Sequence, residues 1–348
     1  MKKIFSLICV LLAICLLTAC TNTLYVPQKN ISLNYNNLSA GNYSNWLEND
    51  FLVYSERGHL GEYIYRLKTE NDNPLLSSTP IGSTEIVQTY KDYIYYTVRG
   101  NSTQNDYYEN TDIVQYDTTT QTGTYITTAS NLSEFFADAT HLYLMRWQEK
   151  FNETYYVLDV ISLETQEIIA QISDVYTCGM RNGVFTFLKD TENGFEVFEY
   201  HPQTKKSEKI ATITLPITND ITIHETINFT NEVMILEAFL TESNASQILI
   251  YEFKSGALQT IDTPYDLDEI IAYENNAFCI LSDWEADKYF LYSLNLDTFE
   301  LLQLGRIGDD KSLFVTSDKD VYLCGWDDEI VHYNLDGTKE KVLINSSK

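Results

Sequence analysis

The 348-residue chain carries 50 Asp and Glu against 23 Lys and Arg, a formal net charge of −27. A field of that sign repels phosphate backbones and anionic lipid headgroups, so no nucleic acid is expected as a partner and a peripheral membrane face is disfavoured. Cations, basic proteins and neutral ligands such as glycans remain. An apolar content of 44% with 13% aromatics is ample for a packed core, which excludes disorder for the body of the chain.

The chain opens "MKKIFSLICVLLAICLLTAC". Lys2 and Lys3 form a positive start, and the apolar run from Ile4 to Leu17 is shorter than the roughly 20 residues that cross a bilayer, so it reads as a leader and not a span. It ends Leu17-Thr18-Ala19-Cys20, which resembles the bacterial lipobox: an aliphatic residue, two small ones, then the cysteine that takes the lipid. The alternative is an ordinary secretory signal cut after Ala19. The resemblance implies a signal peptide over 1–19, a lipidated Cys20 as first mature residue, and a permanent anchor, since two or more acyl chains hold stably where one holds weakly. Losing Lys2 and Lys3 with the leader makes the charge two units more negative, −29. The expected location is the outer side of a bacterial cell membrane, with residues 20–40 as lipidated cysteine and tether.

Beyond the leader the cysteines are Cys178, Cys279 and Cys324. An odd, small number at no metal-ligand spacing argues against a disulfide framework and against zinc. A Cys279–Cys324 pair stays open beside the reading of buried free thiols. The five histidines show neither H-x-x-x-H nor H-E-x-x-H, and no metal or other cofactor is expected.

From residue 41 onward the chain is strand-like almost throughout, with short β-branched and aromatic runs bounded by Asn, Asp, Thr and Ser. Hydrophobic strands begin at Phe51, Tyr93, Leu142, Val184, Val233, Ala277 and Val321, spaced 42, 49, 42, 49, 44 and 44 residues apart. Each leads to a second unit with a tight turn ending in Thr, Ser or Gly, such as "ISLET" at 161, "YHPQT" at 200, "LNLDT" at 294 and "YNLDG" at 333. A third strand follows ("EKIATI", "ELLQL", "EKVLI"), and a fourth short segment ("STEIVQTY", "DEIIAYE", "SLFVTS") separates repeats. Four short strands repeated seven times predict an all-β fold: a seven-bladed β-propeller of four-stranded antiparallel blades over 41–348, because one such sheet cannot bury both faces alone. Two β-sandwiches would explain the strands but not seven matched turns. "YSNWLEN" near the start is a candidate innermost strand and "KVLIN" near the end a candidate outermost one. No blade is then shared between the termini, and closure rests on side-chain packing or on "ISLNYNN" (31–37) adding at the outer edge.

The last repeat, "DVYLCGWDDEIVHYNLDGTKEKVL", resembles the YWTD propellers of the LDL-receptor class. Val321, Tyr322 and Leu323 stand at the signature strand and Leu335, Asp336, Gly337 and Thr338 at the turn, while the signature Trp and Asp are displaced to Trp326 and Asp327. Residues 93–98 and 142–145 are weaker copies. The resemblance implies architecture and says little of ligand.

In such a fold the loop after each second strand shares one face with the link to the next blade. Most of these loops are acidic ("RWQEKFNET", "SDWEADK", "GWDDE"), which suits a cation site or a basic partner, or else keeps exposed strand edges soluble. Three of the four tryptophans are expected there, just past their strands: Trp147, Trp284 and Trp326. With Asp283, Glu285, Asp327, Asp328 and Glu329 they form a candidate ligand-binding surface, since rings give apolar and π contact while acids orient hydroxyls or pair with charge. The competing reading packs the rings into the core. No catalytic residue stands out: there is no G-x-S-x-G elbow, no phosphate-cradling glycine loop, and no carboxylate pair distinguishable from the rest. The expectation is a lipid-anchored module that is not an enzyme and that recognises an envelope protein or glycan. The alternative is a propeller hydrolase acting on cell-surface or external polysaccharide.

Overall fold

The computed structural model describes residues 44–344 apart from 48–50, 59–60, 69–76, 81–86, 91–92, 100–110, 118–119, 121, 151–152, 216–220, 241–244, 274, 309–310, 316–320, 326–329 and 334–338, and over 44–89 it describes the backbone alone. Within these residues the strands pair as seven four-stranded antiparallel sheets, each made of four consecutive strands. The first holds β1 (Ser44–Leu47), β2 (Phe51–Gly58), β3 (Gly61–Lys68) and β4 (Ser77–Pro80). The second holds β5 (Val87–Tyr90), β6 (Tyr93–Arg99), β7 (Thr111–Asp117) and β8 (Thr122–Ala129). The third holds β9 (Leu132–Ala137), β10 (His141–Lys150), β11 (Glu153–Ser162) and β12 (Ile168–Ser173). The fourth holds β13 (Thr177–Arg181), β14 (Val184–Thr191), β15 (Gly194–His201) and β16 (Lys206–Thr214). The fifth holds β17 (Ile221–Phe229), β18 (Val233–Leu240), β19 (Ala245–Glu252) and β20 (Leu258–Asp262). The sixth holds β21 (Asp266–Tyr273), β22 (Asn276–Asp283), β23 (Lys288–Asn295) and β24 (Leu301–Ile307). The seventh holds β25 (Lys311–Val315), β26 (Val321–Gly325), β27 (Ile330–Tyr333) and β28 (Lys339–Ile344).

Alternation along a strand sends neighbouring side chains to opposite faces, and here the two faces belong to two different cores. Leu142 and Leu144 of β10 pack with Tyr95 and Ile113 of the second sheet, while Tyr143 and Met145 pack with Phe185 and Phe187 of the fourth. Val233 and Ile235 of β18 join Cys279 and Leu281 of the sixth sheet, while Met234 and Leu236 join Leu188 and Val197 of the fourth. Phe278 and Ile280 of β22 turn the other way, onto Leu313 and Leu323 of the seventh. Every core cluster in the described residues therefore lies between consecutive sheets, the side-by-side packing a radial stack requires.

Polar contacts lock the same junctions. Asn228 Nδ2, buried in β17, donates to the Ile270 carbonyl of β21 at 2.8 Å, and the Tyr176 hydroxyl donates to the Ile223 carbonyl. Arg181 bridges sheets four and five: it bonds Glu199 Oε1 (2.7 Å) and the Asn231 carbonyl (2.9 Å) and lies 4.0 Å from the centroid of the Phe253 ring. At the same junction a Cβ on Gly179 would stand 3.1 Å from the Phe229 ring, so glycine lets β13 approach β17.

Local sequence explains the turns. Asn182-Gly183 closes the β13–β14 hairpin with both residues at positive φ (52° and 69°), as a twisted two-residue turn demands. The turns before β12, β16, β20 and β24 each place one residue in the left-handed region: Gln166, Lys205, Gly256 and Phe299, with φ of 58°, 53°, 70° and 59°. Gln166, Gly256 and Phe299 donate their N–H four residues back, to Ser162, Glu252 and Asn295. Cys178 and Cys279 are free and buried, so Cys279 does not pair with Cys324.

Candidate functional site

Antiparallel register fixes which connections share an end. Asp266 of β21 lies opposite Ser282 near the end of β22, Ile221 of β17 opposite Leu240 of β18, and Lys311 of β25 opposite Gly325 of β26. The exit of each second strand and the entry of each first strand are therefore at one end of the sheets. This is the end on which the sequence placed its tryptophans and acidic loops.

Trp284 stands there on the β22–β23 turn and is 63% exposed, its ring edge-to-face with Tyr289 at 6.1 Å between centroids. A large aromatic side chain left in water at a turn is unusual for core packing and usual for a contact surface. Asp283 accepts the Ala286 N–H on Oδ1 (3.0 Å), so its first duty is to close this turn, and Glu285 beside it is exposed. Trp147 is placed differently from the expectation. It does not follow β10 but sits inside it, opposite Tyr156, half-buried, with its N–H donating to the Asn131 carbonyl at 3.0 Å. "RWQEK" continues the strand because it pairs with "ETYYV" down to Lys150 and Glu153. Trp147 and Trp284 lie in the third and sixth sheets and are not brought together. Trp326, Asp327, Asp328 and Glu329, like Cys20, lie outside the described residues.

The structure adds a group that sequence reasoning missed. Glu237 of β18 follows Val233 and Ile235 in the alternation, so it faces the sixth sheet near the Trp284 end. It is 6% exposed and makes no hydrogen bond or ion pair among the described residues. Burial, with Asp268 and Asp266 nearby, pushes its carboxyl up to about 7. Asp268 sits at a bulge, where the β21–β22 register slips between Leu267 and Glu269. Its carboxylate accepts the Ser282 hydroxyl at 2.8 Å in a part-buried setting; partial burial is the main force raising its carboxyl, and that bond opposes it. The slip turns Glu269 the other way, to accept the Leu313 N–H of β25 at 2.8 Å; burial pushes this carboxyl up to about 8 against the lowering effect of that bond. The signal in the sequence was one acid interrupting "VMILEAFL".

Asp159 shows what a satisfied buried acid looks like in the same fold. It is 2% exposed, but Arg146 Nε reaches Oδ2 and Gln171 Nε2 reaches Oδ1, each at 2.7 Å. Glu237 has no such partner among the described residues, and its raised carboxyl meets burial by holding its proton. Among the described residues no group of three or more His, Cys, Asp or Glu side chains is arranged to hold a metal ion.

No family model matches the chain, and no curated protein matches it. Solved structures do. The β-propeller domain of the Trilobed protease from Pyrococcus furiosus superposes with a TM-score of 0.59 at 10% identity, covering 88% of this chain and 96% of that one. The acylaminoacyl peptidase of Pyrococcus horikoshii gives 0.61 at 12% identity, over 90% of this chain; the chain spans about half of that peptidase, 54%. An oligogalacturonate lyase, solved in complex with manganese, gives 0.59 at 12% identity over 86% of this chain and 94% of the lyase. At such identities the likeness establishes a fold of the propeller kind. It also corrects the expectation that the chain is not an enzyme, which rested on the lack of a recognisable catalytic motif: the fold is shared with peptidases and a lyase.

Proposed function

We propose that the chain is a seven-bladed propeller, held outside a bacterial membrane by lipid on Cys20 and a tether over 20–40, whose Trp284 end recognises a protein or glycan of the cell envelope. The seven sheets of four consecutive strands support the blade count, and β25 lying beside β1 supports a ring closed by packing without strand exchange. The lipobox supports the anchor. The observation that carries the ligand surface is Trp284, 63% exposed on a turn between Asp283 and Glu285 at the end toward which Glu237, Asp266 and Asp268 gather. A polymer with apolar sugar faces or basic side chains would meet ring and carboxylates together.

The test is affinity capture from an envelope extract by the full chain and by Trp284→Ala, with folding checked by circular dichroism. A protein or glycan held by the native chain and lost by the variant is the expected result. Equal capture by both removes Trp284 from the binding surface.

A second reading, hydrolysis of a polysaccharide, is favoured by one observation. Burial pushes the carboxyls of Glu237 and Glu269 up to about 7 and about 8, so they keep protons near neutral pH, the state a general acid needs. Release of reducing ends from a glycan panel, lost in Glu237→Gln, would make this the activity.

A further inference from the structure

One large aromatic ring stands in water at the ligand end, and its surroundings say which class of ligand fits it. We infer that the turn carrying Trp284 is a stacking site for an uncharged pyranose unit of a glycan. The inference rests on the reading of that end as the ligand surface and names the ligand's chemistry.

Three features carry it. The first is that the ring is held before any ligand arrives. Asp283 pairs with Lys288 at the end of the β22–β23 hairpin. The turn between them closes on the Ala286 N–H, which donates to the carbonyl and to Oδ1 of Asp283 at 3.2 and 3.0 Å. Asp287 completes it in the left-handed region, with φ of 51°. Tyr289 buttresses the indole edge-to-face, the two planes 73° apart. A side chain already fixed loses little freedom on binding, so contact with it is retained as affinity.

The second is that the ring stands alone. The other exposed large hydrophobics among the described residues, Tyr125, Ile168 and Leu302, lie on the outer strands β8, β12 and β24. An anchor for a protein partner sits in an apolar patch depleted of Asp and Glu. Trp284 instead has the exposed acids Glu285 and Asp287 on its own turn. An apolar patch about one ring wide, with oxygen acceptors at its rim, matches a pyranose, which offers C–H groups on its face and hydroxyl donors round its edge.

The third is charge. Glu285 and Asp287 make no hydrogen bond or ion pair among the described residues, so both are free to accept hydroxyls. A uronate or a phosphorylated sugar would bring like charge against them, in a chain that already carries −27.

The probes are cellohexaose, maltohexaose, mannohexaose and chitohexaose, with hexagalacturonate as the charged control, each titrated calorimetrically into the full chain. At least one neutral probe is expected to bind and hexagalacturonate is not. Trp284→Ala should weaken that binding by about tenfold, and Trp284→Phe by less, since a smaller ring still stacks. Ile168→Ala, which trims an exposed side chain on β12, should change it by less than about twofold. Raising salt from about 0.05 to about 0.5 M should leave it unchanged, because the ligand has no charge to screen. Failure of every neutral probe, equal binding by Trp284→Ala, or tighter binding of hexagalacturonate overturns the inference. If every neutral probe fails while Trp284→Ala still abolishes capture of an envelope protein, the sugar site falls, the ligand surface stands and its partner is a polypeptide. If a neutral probe needs Trp284 while envelope capture ignores it, the sugar site stands and the reading of the envelope ligand falls.

Discussion

Glu237 makes the fold's stability depend on pH in a definite direction. The free carboxyl titrates near 4.5, whereas in the folded chain it holds its proton up to about 7. Below 4.5 both states are protonated and the residue costs nothing. Between 4.5 and 7 the unfolded chain ionises while the folded chain keeps its proton, so up to about 3 kcal/mol is lost across that window and the loss levels off above 7. Glu269, held up to about 8, pushes in the same direction. Urea unfolding of the native chain should therefore show a larger fall in stability from pH 5 to pH 8.5 than that of Glu237→Gln. An identical fall in both would mean that the carboxyl is solvated.

Among the elements, the repeated turn into the outermost strand is where local rules are strained and where substitution has a predictable sign. Lys205 and Gly256 both occupy left-handed positions, which cost a side-chain-bearing residue about 1 kcal/mol and glycine almost nothing. Lys205→Gly should thus raise stability by about 1 kcal/mol, and Gly256→Ala should lower it by a similar amount, both read from denaturant midpoints. Opposite or equal signs would place these turns in another conformation. The turns and strands were legible in the sequence because period-2 patterning and Thr/Ser/Gly punctuation are local signals. Trp147 was misplaced for a non-local reason: "RWQEK" has no strand signature of its own and becomes strand only by pairing with "ETYYV". Glu237 was missed for the same kind of reason. Its meaning depends on Asp266 and Asp268, about thirty residues away in another sheet and brought close by a bulge that no local pattern announces.

At the scale of the whole molecule, sheets three to six each share their two faces between two neighbours among the described residues, so stability there comes from a chain of junctions rather than one centre. The repeat period predicted the run of four-stranded antiparallel sheets, because strand starts matched at this spacing leave few ways to bury the faces of such sheets. Function was less legible, since the fold is shared with proteins of differing chemistry and only side-chain placement separates one use from another. On the function proposed above, the Trp284 end meets ligand and the opposite end, with the turns at 296–300 and 253–257, does not. Hydrogen exchange of the full chain, alone and mixed with envelope extract, tests that division most directly. Slowed exchange confined to 263–269 and 282–289 is the predicted result. Protection of the opposite turns, or of outer strands β8, β12 and β24 with the Trp284 end unchanged, would contradict it.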